Sequence, residues 1–357
     1  MLVASKAVMA NFLPPVNRLF VTRPVMRHIA LLTALLALLG GCAWREAPDA
    51  AFFDIEAGRL PPADTTLAIA GLGPCTDNPD RSLRLDASRP VHVLVHGCFG
   101  SSGQFRGLAQ VLAFHGQQSA CFTYDDRAGL PGSAADLRDA LTQLAGQTGS
   151  PRITLIGHSQ GALIARSALT QAILPAAVRT ELRLVTVSGP FAGIAAAQTC
   201  GKTWLYPLTL GLLPAACYLA TGAKWADITF SSRFILEPGT LAPGVSSHLK
   251  IDTDERGSCR REQNGRCLED DDVFSLAEQR SQPVETDSRA RRVEARAGHV
   301  EIVGDKRVAP VKLIKILQDE GVLGATAPER QAAFNRLLAR VYHDDAFMAA
   351  AGSLERH

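Results

Sequence analysis

Two rhythms of hydrophobic and polar positions alternate along the chain from about residue 66. Short unbroken apolar runs predict strands buried on both faces. Longer stretches with apolar residues every three or four positions predict amphipathic helices. The run "VHVLVHG" (91–97), bounded by Pro90 and Gly97, predicts a strand, and "GQFRGLAQVLAFHG" (103–116) a helix. "SACFTYDD" (119–126) predicts the next strand. "SAADLRDALTQLAGQTG" (133–149) predicts a helix, with Ser133 as its cap and Gly149 after its end. "RITLIGHS" (152–159) then predicts a strand, "QGALIARSAL" (160–169) a helix and "ELRLVTVSG" (181–189) another strand. "HLKIDT" (248–253) and "RRVEARAG" (291–298) predict two further strands, and "APVKLIKILQ" (309–318) a helix. Strands alternating with helices make an α/β protein with a mostly parallel central sheet and helices on both faces. Ligands of such sheets bind beyond the carboxyl ends of the strands.

The first residues follow different rules. Residues 1–41 hold Lys6, Arg18, Arg23 and Arg27 and no acidic residue, and an apolar run extends from Ile29 to Leu39. That run is shorter than the roughly 20 residues a membrane-spanning helix needs. A basic start, a short apolar stretch and small residues after it describe a signal peptide. The peptide ends in Leu39-Gly40-Gly41-Cys42, which resembles the lipobox of bacterial lipoproteins. The resemblance implies cleavage before Cys42 and a lipid on its sulfur. It further implies a membrane-anchored protein of the bacterial cell envelope, and Ala43 favours the outer membrane. Met26 is an alternative start. The expected organisation is a signal peptide over 1–41, a tether over 42–65, and one domain over 66–357 with an insertion at about 199–230.

Composition and charge narrow the function classes. Of 357 residues, 46% are hydrophobic and 20% charged, enough apolar material for a sizeable core. Taking the four basic leader residues from the 37 Lys and Arg leaves 33, against 35 Asp and Glu. The domain therefore carries no excess of positive charge for nucleic acid. Eight cysteines are present. Besides Cys42, local spacing pairs Cys200 with Cys217 and Cys259 with Cys267, while Cys75, Cys98 and Cys121 leave one thiol over. The cysteines form no CxxC pair and the histidines no HExxH pattern, so neither a metal nor a cofactor is expected.

The candidate chemistry centres on "TLIGHSQGAL" (154–163). A strand that passes straight into a helix turns within about two residues, and the apex residue projects its side chain. Its neighbours two positions away must be small, which Gly157 and Gly161 satisfy around Ser159. A serine hydroxyl needs a base. His299, in "VEARAGHVEIV", lies directly after a strand, where a late loop reaches back over the sheet. His248 and His343 read as structural, and His158 as a residue that packs or hydrogen-bonds locally. The acid that orients the imidazole is expected between about 253 and 288. Asp252, Asp254, Asp270, Asp271, Asp272 and Asp287 are the candidates. Asp271, in "LEDDDVFSL", fits best, with Asp270 next; the three adjacent carboxylates read equally as a solvated or cation-binding turn. An oxyanion needs two donors. The backbone N–H of Gln160 supplies one. The other comes from Cys98 in "VHGCFGSSGQF", or from Phe99.

These motifs together, "VHVLVHG…ITLIGHSQG…EDDDVF…AGHVEI", resemble the α/β-hydrolase superfamily over roughly residues 85–320, and in particular bacterial lipases and esterases. The resemblance implies an eight-stranded, mostly parallel sheet and ester hydrolysis by Ser159, Asp271 and His299. The segment between Thr199 and Asp227 is strongly apolar and carries Trp204, Tyr206, Tyr218 and Trp225. It reads as a lid over the serine, suited to a lipid-like ester, or as helices packing on the sheet. An acyltransferase, a thioesterase, a peptidase or amidase, and a non-catalytic envelope protein on the same scaffold remain alternatives.

Overall fold

The computed structural model describes residues 64–171, 180–198, 209 and 212–342. The expected signal peptide, the lipidation residue Cys42 and nearly all of the tether lie outside the described residues, as do Trp204, Tyr206, His343 and His357. Within the described residues, β1 (Thr65–Leu67) pairs with β3 (Leu83–Leu85) as a small antiparallel ribbon. The remaining strands are β2 (Leu72–Gly73), β4 (Val91–Val95), β5 (Gln118–Phe122), β6 (Arg152–His158), β7 (Glu181–Val187), β8 (Val245–Asp254), β9 (Cys259–Gln263), β10 (Arg266–Asp270) and β11 (Ala290–Arg296). Seven of them form the central sheet in the order β11-β8-β7-β6-β4-β5-β2. Every neighbouring pair is parallel except β2 with β5. The sheet thus has seven strands where eight were expected.

Alternate residues of a strand point to opposite faces, and here each face has its own core. Val91, Val93 and Val95 of β4, with Ile153 and Leu155 of β6, point into one core. Leu94 and Ile156 point into the other. This is why the strands read as unbroken apolar runs: burial on both faces leaves no polar alternation. Burying each such side chain contributes about 1.5–3 kcal/mol. The first core is closed by α2 (Leu130–Gln147) and α3 (Gln160–Ala168), through Leu137, Leu141, Leu144 and Leu163. The second is closed by α1 (Arg106–Phe114), α5 (Val311–Asp319) and α6 (Gln331–Tyr342), through Leu108, Leu112, Leu313, Leu317 and Leu338. The connection after β4 therefore runs over one face and the connection after β6 over the other. The carboxyl ends of these adjacent strands flank the switch point where such sheets bind ligands.

Some local expectations are corrected. α2 begins at Leu130 with Gly129 as its cap, and Ser133 lies inside it, its hydroxyl donating back to the Gly129 carbonyl. Pro131 in the first turn needs no N–H there and starts the helix earlier. The sequence reading also passed over the hairpin of β9 and β10, closed by Asn264-Gly265 with φ of 54° and 71°. The Asn-Gly turn was visible, but the flanking strands are exposed and polar, so no apolar alternation marked them. A disulfide between Cys259 and Cys267 staples this hairpin, as the spacing predicted. A second disulfide joins Cys75 to Cys121 of β5, and Cys98 keeps its thiol. Cys217 is also disulfide-bonded, whereas Cys200, its expected partner, lies outside the described residues.

The described part of the apolar insertion holds α4 (Leu212–Thr221), which exposes Leu212, Tyr218 and Leu219. Arg127 donates to the carbonyls of Tyr218 and Leu219 at the end of this helix, at 3.1 and 3.0 Å. The following 3-10 turn, Ala223–Ala226, buries Lys224 and packs Trp225 against the first core. Among the described residues no helix is long and apolar enough to cross a membrane.

Candidate active site

β6 ends at His158 and α3 begins at Gln160, so Ser159 alone makes the turn. Its backbone sits at φ 56° and ψ −126°, a conformation that costs an L-residue about 1–3 kcal/mol. Two backbone bonds hold it there. The Ser159 N–H donates to the Val187 carbonyl at 2.9 Å, and its carbonyl accepts from Ala162 at 3.0 Å. The flanking glycines are required by contact. A Cβ on Gly157 would strike the Gly161 carbonyl, and one on Gly161 would strike the carbonyls of Val95 and His96. A Cβ on Gly97 would stand 2.8 Å from that of Ser159, so Gly97 lets the loop after β4 close onto the serine. Ser159 is 5% exposed, which leaves it narrow access to solvent.

The imidazole side is assembled from three segments. His299 follows β11 and is buried. Its Nδ1 lies 2.9 Å from Oε1 of Glu255, the first residue past β8. Glu255 is fully buried and accepts three further hydrogen bonds. Thr253 Oγ1 donates to the same oxygen at 2.7 Å, and the N–H groups of Val273 and Phe274 donate to Oε2 at 2.8 and 2.7 Å. The Phe274 ring stands edge-on to the imidazole, with centroids 4.7 Å apart. On the other side, His158 Nε2 donates to the His299 carbonyl at 2.9 Å, and the two rings lie 4.8 Å apart. His158 is the residue before Ser159, so this bond ties the His299 loop to the serine turn. Burial, and then the neighbouring His299, hold the His158 imidazole well below its usual range. It is a neutral, one-donor strut, in keeping with the local role expected of it.

The carboxylate on the imidazole is therefore Glu255, and the assignment of that place to Asp271 is corrected. Asp271 is buried beside the same loop, but its Oδ1 and Oδ2 accept the N–H groups of Val300 and Glu301, each at 3.0 Å. Its carbonyl accepts from His299 N–H at 2.9 Å. Burial pushes its carboxyl above the usual range, against the lowering effect of those bonds. Asp271 caps the turn that carries His299, and Gly298 has no side chain because a Cβ would run into that carboxylate. The other aspartates are engaged elsewhere. Asp252 is bonded to buried Lys250, Asp254 to Arg256 and Asp287 to Arg289. Asp270 accepts from the Asp272 N–H, and Asp272 accepts from Gly257 N–H. Sequence reasoning missed Glu255 by weighing only aspartates. The strand legible in the sequence stops at Thr253 and makes Asp254 the first acidic residue beyond it, whereas β8 runs on through Asp254 and leaves Glu255 as the residue just past its end.

Cys98 follows Gly97 at the carboxyl end of β4, and Gln160 opens α3, where backbone N–H groups have no partner within the helix. Phe99, the alternative second donor, sits at φ 56° and gives its N–H to Asp126 Oδ2 at 2.8 Å. Tyr124 supports the same loop, its hydroxyl donating to the His96 carbonyl at 2.7 Å while its ring stacks on the His96 ring. Burial, then the nearby Asp126, raise that hydroxyl well above its ordinary pKa, so it stays a donor. Serine, imidazole–carboxylate pair and candidate donors thus share the carboxyl edge of one sheet.

Residues 90–202 match the family model described as alpha/beta hydrolase fold. The fold is the α/β-hydrolase fold. The chain is similar to the mature lipase BlEst2 of Bacillus licheniformis, at 16% identity and a TM-score of 0.45, over 71% of this chain and 97% of that one. It is similar to esterase B of Lactobacillus rhamnosis, at 12% identity and a TM-score of 0.42, over 84% and 94%. It is also similar to the esterase Pf2001 of Pyrococcus furiosus, at 14% identity and a TM-score of 0.43, over 78% and 96%. Comparison with curated proteins finds no match.

Proposed function

We propose that the protein is a serine hydrolase of carboxylic esters, acting through an acyl-enzyme on Ser159. The observation that carries this reading is the strained Ser159 turn tied, through His158, to an imidazole whose Nδ1 is held by Glu255 at 2.9 Å. With Nδ1–H donated to the carboxylate, Nε2 is the nitrogen left to take a proton. His299 removes the Ser159 proton as the hydroxyl attacks the ester carbonyl. The Gln160 and Cys98 N–H groups bind the oxyanion. His299 then protonates the leaving alcohol, Glu255 stabilises the imidazolium, and water releases the acid. The exposed apolar side chains of α4 support a lipid-like ester as the substrate class. The amino-terminal motif supports lipidation at Cys42 and a place at the bacterial envelope, with the outer membrane favoured; a Cys42→Ser variant that still incorporates labelled palmitate would overturn that part.

The test of the chemistry is Ser159→Ala. The variant is expected to lose hydrolysis of p-nitrophenyl esters and labelling by a fluorophosphonate probe, with its circular dichroism unchanged. Wild-type turnover in the folded variant would overturn the reading.

A further inference from the structure

Lys224 is an unusual buried group. It is 1% exposed, and its Nζ lies 2.8 Å from the sulfur of Cys98 and 3.2 Å from Asp126 Oδ2. The same ammonium stands 4.6 Å over the ring of Phe99. Cys98 is partly exposed, whereas Lys224 beside it is buried. Thiolates next to cationic groups are the ones peroxides oxidise first. No resolving thiol is at hand among the described residues, because Cys75, Cys121, Cys217, Cys259 and Cys267 are all in disulfides. Those bonds also suit an oxidising compartment. The nucleophile placed to meet an oxidised Cys98 is the Lys224 amine.

We propose that Cys98 and Lys224 are a redox modification site, joined by hydrogen peroxide into a covalent sulfur–nitrogen cross-link. In the first step the Cys98 thiolate attacks one peroxide oxygen. The S–O bond forms, the O–O bond breaks, and the other oxygen leaves as water after protonation. Sulfur is oxidised by two electrons and peroxide is reduced by two. Asp126 takes the extra proton of the Lys224 ammonium, and the neutral amine then attacks the sulfenic sulfur. The N–S bond forms, the S–O bond breaks, and the hydroxyl leaves as water with one amine proton. Sulfenic acids condense in the same way with backbone nitrogen. The link ties the segment after α4 to the loop beside Ser159, and a thiol reductant reverses it.

The test is peptide mapping of the full chain after hydrogen peroxide treatment, digested without reductant. The Cys98 and Lys224 peptides are expected joined, at a mass below their sum by two hydrogens, and separated again by dithiothreitol. Lys224→Arg keeps a cation beside Asp126, and its folding is checked by circular dichroism. This variant is expected to give no link and to carry Cys98 on to sulfinic or sulfonic acid instead. Wild-type protein in which Cys98 is oxidised that far while the Lys224 peptide stays unlinked would overturn the proposal. The readout is a mass, independent of ester hydrolysis, so its failure leaves the hydrolase reading standing.

Discussion

Replacing Glu255 by Gln exchanges one carboxylate oxygen for an amide nitrogen, and the surrounding donors decide where that nitrogen goes. Two backbone N–H groups, of Val273 and Phe274, point at Oε2. An NH2 group there would face both of them, so the glutamine oxygen stays on that side. The NH2 group then faces His299 Nδ1 and Thr253 Oγ1. It donates to Nδ1, which drives the imidazole proton to Nε2, the position that must be empty to accept the serine proton. The wrong tautomer in a serine triad lowers kcat about ten-thousandfold, or about 5.5 kcal/mol of transition-state stabilisation. Asp271→Asn is the matched control. Asn keeps one of the two N–H bonds of the His299 turn and sets its NH2 against the other, which costs about 1–3 kcal/mol of stability. The imidazole keeps its carboxylate, so kcat falls less than about tenfold, the scale of 1.4 kcal/mol. Turnover of p-nitrophenyl acetate and thermal melts of both variants make the comparison. Asp271→Asn as inactive as Glu255→Gln with its fold intact, or Glu255→Gln at near wild-type rates, would refute the assignment.

Three further outcomes are expected. Ser159→Gly removes the side chain that makes φ 56° costly, so it raises stability by about 1 kcal/mol once the added chain entropy of glycine is counted, read as a higher Tm in a protein with no turnover. Gly161→Ala forces a methyl group into the carbonyls of Val95 and His96 and lowers stability by about 1–3 kcal/mol, measured by urea unfolding. His248, bonded to Thr186 Oγ1 and held at about pKa 3 by burial and then by Arg166 and Lys250, stays neutral in the fold while the unfolded chain takes up its proton near 6.5. The unfolded state therefore binds more protons between those values, and stability falls as pH drops through that window. One proton corresponds to about 1.4 kcal/mol per pH unit, and His248→Gln should flatten the slope of unfolding free energy against pH by about that amount.

The alternating apolar runs and helical periods determined the layered fold, because strands buried on both faces and helices buried on one leave periodic marks in the chain. The serine turn was legible for a related reason. Its demand is local, since Gly157 and Gly161 answer contacts within one strand–turn–helix unit and the strands beside it. His299 was legible as the histidine directly past a late strand. Tertiary structure alone decided which carboxylate meets the His299 imidazole. Three segments meet at the imidazole, the end of β8, the turn at Val273-Phe274 and the loop after β11. Glu255 and Asp271 both lie in the window that the triad order allows, and both are buried. Which one reaches Nδ1 depends on β8 running parallel beside β11, so that its next residue comes up against the His299 loop. The longer acidic run settles under the backbone of that loop instead. The Cys98–Lys224 contact is of the same kind. Residues far apart in the chain meet only because the segment after α4 folds back onto the loop after β4, and no periodicity in either stretch records that meeting.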